Sequence, residues 1–311
     1  MTSDMKMPLR LVVIAGPTGV GKSELALDLA ELTGGEIVSA DSMQVYRHMD
    51  IGTAKPDRQT RIRINHHLID IVDPDEEFNA ALFTREADTV IHDIARRGCH
   101  IIIAGGTGLY VRALLRGLFD APSCNRQLRS SYRLEAEKQG DDYLYSELSS
   151  RDAVAARHIH PHDRMRIIRA LEILDITGEM MSEKRQQHLF AEKRYDCLFI
   201  GLAMERPLLY ERINRRVDVM IEEGLVEEVE GLLSRGYDET LKPMQSMCYK
   251  YTIDYLKGRR TRDESVSLIK RDTRRYAKRQ ITWFGNEEGI VWMPPHDRTA
   301  IYNAVKGYLN L

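Results

Sequence analysis

The sequence predicts an α/β protein whose parallel-sheet core is interrupted by an all-helical insertion, and three observations predict it. A short apolar run, Leu9-Arg10-Leu11-Val12-Val13-Ile14-Ala15, leads into a glycine loop and then into helix-spaced Leu25, Ala26, Leu29 and Leu32. Short apolar runs go on alternating with helical patterns to about residue 120 and return after residue 194, as a βα succession requires. Between those limits strand signals vanish and arginine-rich helical segments take over. The domain reading is therefore 1–120 for the first part of the core, 121–194 for the helical insertion, and 195–311 for completion of the core with basic carboxyl-terminal helices.

The glycine loop Gly16-Pro17-Thr18-Gly19-Val20-Gly21-Lys22-Ser23 matches every fixed position of the phosphate-cradling P-loop, between the strand and the helix that the motif requires. Its glycines permit a turn that points backbone N–H groups inward, and the helix adds its positive N-terminal end. Lys22 would reach the terminal phosphates, and the Ser23 hydroxyl would hold a Mg²⁺ that bridges them. The motif does not say whether the phosphates belong to a nucleotide.

Composition bounds the class. The 311 residues are 43% hydrophobic and 30% charged, which suits a soluble globular protein with one large core or two modest ones. Met1 to Pro8 hold no apolar stretch of signal-peptide length, and no run approaches the roughly 18 apolar residues of a membrane span. The expectation is a cytoplasmic protein without a membrane. Cys99, Cys124, Cys197 and Cys248 are scattered without a C-x-x-C pair, so neither a zinc site nor a disulfide framework is expected. A net charge of −2 gives no global sign of nucleic-acid binding, which leaves local basic patches to hold any such partner.

Along the chain, Glu36 to Ser42 reads as a second strand with Asp41 at its carboxyl end, the end that faces the ligand crevice in open α/β sheets. Asp41 can serve chemistry there or simply cap the next turn. The loop from Gln44 to Pro56 is long enough to be functional. His67 to Val72 reads as a strand, Phe78 to Arg97 as an amphipathic helix, and His100 to Ala104 as a central strand followed by the glycine turn Gly105-Gly106-Thr107-Gly108. A nucleotide hydrolase would usually end that strand in a metal-holding Asp, which argues against simple nucleotide hydrolysis.

Within the insertion, Arg126, Arg129 and Arg133 form one stripe of a helix ending at Gly140. A second helix starts near His160-Pro161-His162-Asp163, with proline in its first turn, and stops at Gly178. On it Ile167, Leu171 and Leu174 form the apolar side, and Arg166 and Arg169 project roughly opposite. Each arginine stripe is either a solvated face or a grip on an anion.

Tyr195 to Met204 returns the chain to the sheet, and the helix from Pro207 to Glu223 has Leu209, Ile213, Val217 and Met220 on its buried stripe. Arg216 falls within that stripe, where either a carboxylate neutralises it or it faces an anionic ligand. A helix from Leu225 to Arg235 precedes the loop Pro243 to Lys250. The last long helix opens with the capping box Thr261/Glu264 and carries Arg271, Arg274, Arg275 and Lys278, with Arg279, Trp283 and Phe284 beyond. Basic residues ending in aromatics suit an RNA surface.

Taken together, these motifs resemble the tRNA dimethylallyltransferase (tRNA isopentenyltransferase) family over nearly the whole chain. The resemblance rests on the P-loop, on Asp41 to Arg47, Asp50 to Pro56, Gly105 to Tyr110, His160-Pro161, Asp163 and Arg166 to Glu172, and on Gln245-Ser246, Tyr249-Lys250 and Ala277 to Gln280. It implies transfer of a dimethylallyl group from dimethylallyl diphosphate to N6 of the adenosine beside the anticodon, position 37 of tRNA. The P-loop, Gly16 to Ser23, with Thr18, Lys22 and Arg216, would then hold the diphosphate, and Ser23 the Mg²⁺. Asp41 would accept the N6 proton, with Thr18 and Arg216 as its catalytic partners.

By the same resemblance, tRNA meets Asp41, Ser42, Met43, Gln44, Thr107 and Arg129, together with Met165, Arg166, Ile167, Ile168 and Arg169 of the insertion. It would also meet Gln245, Ser246, Met247, Cys248, Tyr249 and Lys250, and Ala277, Lys278, Arg279, Gln280, Ile281, Thr282, Trp283 and Phe284. The partner implied is the anticodon stem-loop, bound by a monomer. His48 and Cys248 stand where the family usually has glycine, and His162 where asparagine is usual; the Cys248 position could require φ > 0 or a close approach of backbone. The alternative is a P-loop kinase of a nucleoside or small metabolite, which explains the P-loop, insertion and Arg216 but not the basic last helix. A nucleotide-driven RNA-binding switch is the third reading.

Overall fold

The computed structural model describes residues 9–119, 121–188 and 193–311; the first eight residues, read above as free of a leader, lie outside the described residues. The chain divides into two units, one made of the chain up to Leu115 and from Arg194 onward, the other of Arg116–Lys193. The helical unit thus opens five residues before the composition shift.

The first unit begins with β1 (Arg10–Ala15), α1 (Lys22–Thr33), β2 (Gly35–Ser39), α2 (Arg58–Arg63), β3 (His66–His67), α3 (Ala80–Arg96), β4 (His100–Gly105) and α4 (Gly108–Arg116). The second unit is helical in its described residues: α5 (Arg126–Gln139), α6 (Asp141–Arg151), α7 (Ala153–His158), α8 (Arg164–Thr177) and α9 (Met181–His188). The first unit then resumes with β5 (Asp196–Leu202), α10 (Arg206–Glu222), α11 (Leu225–Ser234), α12 (Met247–Leu256), α13 (Arg262–Gly285), β6 (Ile290–Met293) and α14 (Arg298–Leu309).

The six strands form one sheet in the order β3-β2-β4-β1-β5-β6, with every pairing parallel. β1 lies between β4 and β5, with Val13 opposite both Ile103 and Phe199. Its side chains alternate between two cores: Leu11, Val13 and Ala15 pack with α3, α4, α11 and α12, and Val12 and Ile14 with α1 and α14. A strand covered on both faces has no polar side to show, which is why its sequence is a continuous apolar run. The second unit has a core of its own around Tyr132, Leu144, Leu148, Ile167 and Leu171.

Four expectations are corrected. The strand read over 67–72 shrinks to His66–His67, because Leu68 and Asp70 adopt φ of 61° and 56°, which no strand accommodates. β2 ends at Ser39, so Asp41 lies two residues beyond it, in a turn. Pro161 is outside the helix: Asp163 caps α8 by accepting from Arg166 N. The stretch 243–250 is a 3₁₀ turn over Pro243–Gln245 followed by the first turn of α12, and not a loop. β6 and α14 escaped the sequence reading, although Ile290 to Met293 between Gly289 and Pro294 is a β-rich run between two turn formers.

Candidate active site

The P-loop forms as its sequence requires. Gly21 is the N-cap of α1 with φ of 103°, a conformation that a Cβ would strain, and it lets Lys22 start the helix. Lys22 Nζ turns back to donate to Pro17 O at 2.8 Å. Opposite, α10 brings Arg216 to the loop, with its Nη1 3.4 Å from Thr18 Oγ1. No carboxylate lies within ion-pair distance of Arg216 among the described residues, which removes one of its two readings. Burial lowers the Arg216 pKa, and lowers that of Lys22 to about 8; Asp41 opposes the Lys22 shift and Arg216 adds to it.

Asp41 faces the two cations across a cavity of about 370 Å³. Its Oδ1 accepts from Met43 N at 2.8 Å and Gln44 N at 3.3 Å, so the turn-capping reading is correct for one oxygen. The other has no hydrogen-bond partner among the described residues. Gln44 is fixed in turn by Ser39 Oγ and by the carbonyls of Thr53 and Ala54.

The second glycine turn meets the P-loop through α13. Gln280 is 5% exposed; its Nε2 donates to Gly106 O and its Oε1 accepts from Thr18 N, both at 2.8 Å. Gly106 has to be glycine here, since a Cβ would stand 2.4 Å from Gln280 Nε2. Thr107 Oγ1 accepts from Ser42 N at 3.0 Å, which ties the turn to the Asp41 segment.

The cavity collects Thr18, Lys22, Ser23, Asp41, Ser42, Met43, Gln44, Arg216, Gln245 to Cys248, Arg279 and Gln280 from those singled out in the sequence. It also takes Thr273 and Tyr276, which the sequence reading missed. Their signal was legible: Thr273, Tyr276 and Gln280 are polar residues at i, i+3 and i+7 on one face of a helix. The Tyr276 phenol is pushed up to about 12 by burial and by Asp41, and Thr273 Oγ1 is buried without a hydrogen-bond partner among the described residues.

Other expected contact residues are elsewhere. Ile167, Ile168, Tyr249, Ala277 and Phe284 are at most 3% exposed, so their side chains pack cores and present nothing to a macromolecule. Ile281 belongs to the same inward face of α13, whereas Lys278, Arg279 and Thr282 are exposed. Trp283 packs against Gly108 with the Arg112 guanidinium 4.4 Å from its ring centroid, and is not a free stacking platform. Lys250 is exposed. In the second unit Arg129 and Arg169 both hold the fully buried Glu172, while Arg126, Arg133, Met165 and Arg166 are exposed. The arginine stripe of α5 is therefore divided, and Arg169 does not share the open side of α8 with Arg166.

Cys248 is helical, so its position needs no positive φ; burial pushes its thiol up to about 11, which leaves it unreactive. His48 does adopt the left-handed conformation, with φ of 65°. Among the described residues no three His, Cys, Asp or Glu come together as a metal cage. The Ser23 hydroxyl at the cavity is an oxygen donor of the kind that a Mg²⁺ can take alongside phosphate and water.

The family model described as IPP transferase matches residues 44–287. The chain belongs to the IPP transferase family. Among relatives of this family, the tRNA dimethylallyltransferase 2 of Syntrophus aciditrophicus is 51% identical over 301 residues, 97% of this chain and 96% of that one. The solved tRNA isopentenylpyrophosphate transferase of Bacillus halodurans is 41% identical, with a TM-score of 0.70 and 97% of each chain covered. A eukaryotic dimethylallyltransferase solved acting on tRNA has a TM-score of 0.78 at 30% identity, covering 96% of this chain and 77% of that one. Family membership thus extends across both units, beyond the span of the model match. No described helix is long and apolar enough to cross a membrane.

Proposed function

We propose that the protein transfers a dimethylallyl group from dimethylallyl diphosphate to N6 of adenosine 37, beside the anticodon of tRNA, and releases diphosphate. The observation that carries the reading is that Lys22 and Arg216, two cations without a carboxylate in hydrogen-bond contact among the described residues, line one cavity of about 370 Å³ with Asp41. An anion belongs beside the cations, and a proton-bearing nucleophile beside the carboxylate.

The P-loop amides, Lys22 and Arg216 bind the diphosphate and stabilise the charge it gathers as its C–O bond breaks. Thr18, held by Gln280 through its N–H and by Arg216 through its hydroxyl, orients that end of the loop. Ser23 would hold a Mg²⁺, which would supply further positive charge for the leaving diphosphate. The N6 lone pair forms the new bond to the allyl carbon, and the free oxygen of Asp41 takes the N6 proton. An adenine stacked in the anticodon loop cannot reach a carbon in this cavity, so the base is flipped into it, against Gln44 and the start of α12. Lys250, Lys278 and Arg279 in the first unit, and separately Arg126, Arg133 and Arg166 in the helical unit, are among the exposed cations that could meet tRNA phosphates. All these groups come from one chain, so the reading requires no second copy.

The test is mass spectrometry of nucleosides from tRNA incubated with the protein, Mg²⁺ and dimethylallyl diphosphate. N6-dimethylallyl adenosine is expected. Unmodified tRNA alongside steady consumption of ATP by a small acceptor would replace this reading with a kinase.

A further inference from the structure

Three consecutive backbone N–H groups, those of Asp50, Ile51 and Gly52, converge on the carboxylate of Glu228 at 2.8, 2.7 and 3.0 Å. The Tyr249 hydroxyl donates to the same carboxylate at 2.6 Å. Successive amides pointing into one concavity make an anion site. Here the anion is supplied from inside the protein, from the first turn of α11, where the helix dipole also favours a negative charge.

The four donors come from two segments whose neighbouring residues line the cavity. Gly52 and Thr53 line it from one segment, Met247 and Cys248, just before Tyr249, from the other. The two are pressed together, since a Cβ on Gly52 would stand 2.6 Å from the Tyr249 ring. The first segment continues to the Asp41 turn, because Gln44 Nε2 donates to the carbonyls of Thr53 and Ala54. Glu228 makes no hydrogen bond to the P-loop.

We propose that Glu228 is a positioning residue for the acceptor: by holding Asp50 to Gly52 and Tyr249 in one cluster of hydrogen bonds, it sets the width of the wall that receives the flipped base. It acts on the base-receiving side and leaves the diphosphate side alone. This inference rests on the transfer reaction proposed above for its choice of ligand, but not for the cluster itself.

The experiment uses the full chain with Glu228→Gln, whose amide keeps one accepting oxygen and replaces the other with an NH2 that cannot accept, so that at least one of the three N–H groups loses its acceptor, and with Tyr249→Phe, which keeps the packing on Gly52 and removes one bond. Each is measured well below its own melting midpoint. In Glu228→Gln the dissociation constant for an anticodon stem-loop RNA should rise about 10- to 100-fold, the size of losing one or two hydrogen bonds to the base. The dissociation constant for dimethylallyl diphosphate should stay within about twofold, as for sites that share no partner. Tyr249→Phe should show the same split at smaller size. Hydrogen exchange should quicken at amides 50–52 and stay unchanged through the P-loop. Equal changes in RNA and donor binding, or a lowered melting midpoint with both unchanged, would reduce Glu228 to a structural clamp and overturn the proposal. The exchange and RNA-binding measurements need no turnover. A wild-type protein that modifies no tRNA would therefore sink the proposed reaction while those two measurements still decide the role of Glu228.

Discussion

Arg169 holds the carboxylate of Glu172, a side chain with no exposed surface, and Arg129 grips the same carboxylate from α5 at 2.7 Å. Sequence spacing alone would pair Arg169 with Arg166 as two equal phosphate contacts. The buried carboxylate separates them, because an ionised Glu without solvent has to be neutralised and hydrogen-bonded where it stands.

Alanine at the two arginines should accordingly have different effects. Arg169→Ala should lower stability by about 1 to 3 kcal/mol, with Arg129 left to hold Glu172. Arg166→Ala, which removes an exposed side chain paired among the described residues with half-buried Asp163, should leave the melt unchanged and reduce the slope of log tRNA affinity against log salt by about 0.7 to 0.9. Thermal melts and binding at several salt concentrations read the two effects. An Arg166→Ala protein with the wild-type salt slope would make that arginine a solvated side chain.

Asp41→Asn should slow single-turnover transfer by roughly 10²- to 10⁴-fold at saturating tRNA and donor. Asparagine keeps an oxygen for Met43 N and Gln44 N, so the turn and the melting midpoint should persist. A normal rate in a protein that melts much lower would return Asp41 to turn-capping alone.

The Lys22 ammonium, lowered by burial to about 8, predicts a pH dependence for the donor. The diphosphate binds the protonated form, so affinity should hold below about pH 8 and weaken by up to about tenfold per unit above it. Calorimetry across pH 7 to about 9.5 checks this, with Lys22→Met as the flat control. For folding the sign is opposite. The charged, buried lysine costs stability in full below about 8, and the cost fades as pH rises towards 10.5, the value of an unburied lysine. A donor affinity that ignores pH in the wild type would show that Lys22 does not meet the diphosphate.

Glu36 should govern acid stability. Burial alone would raise its pKa, but the hydrogen bonds from Arg97 and His67 hold it at about 2, against an ordinary 4.5. Its contribution is complete above about 4.5 and is lost as pH falls towards 2. Urea midpoints at pH 7 and pH 3 should differ more in the wild type than in Glu36→Gln, and an equal difference would exclude the residue.

Much of this architecture was readable from the residues. The P-loop, the buried stripe Leu209, Ile213, Val217 and Met220, and the capping box Thr261/Glu264 are local patterns, and each formed as read. The site was legible where local sequence carries the chemistry, as at Lys22, Ser23 and Asp41. It was not legible where a partner far along the chain decides a role. Glu228 and Gln280 look like ordinary surface and core polar residues until Asp50, 178 positions away, and Thr18, 262 away, are brought to them. The false strand at 67–72 is the same lesson at short range: its apolar alternation is overruled by the positive φ of Leu68 and Asp70 and by the ion pair of Asp70 with buried Lys55.

The order of strands in the sheet has a consequence for synthesis. β1 needs β5 as its second neighbour, yet β5 ends at Leu202, about 97 residues after β4 ends at Gly105, with the helical unit in between. At 5 to 20 residues per second, a ribosome takes roughly 5 to 20 s over that stretch. Throughout it β1 lacks its second neighbour, and an unpaired apolar strand edge is open to other strands. The helical unit can fold around its own Tyr132 and Leu171 core in that interval, so the last domain to begin is the first that can finish. A chain cut short before β5 would leave β1 unpaired on one side, an edge of the kind that other strands can join.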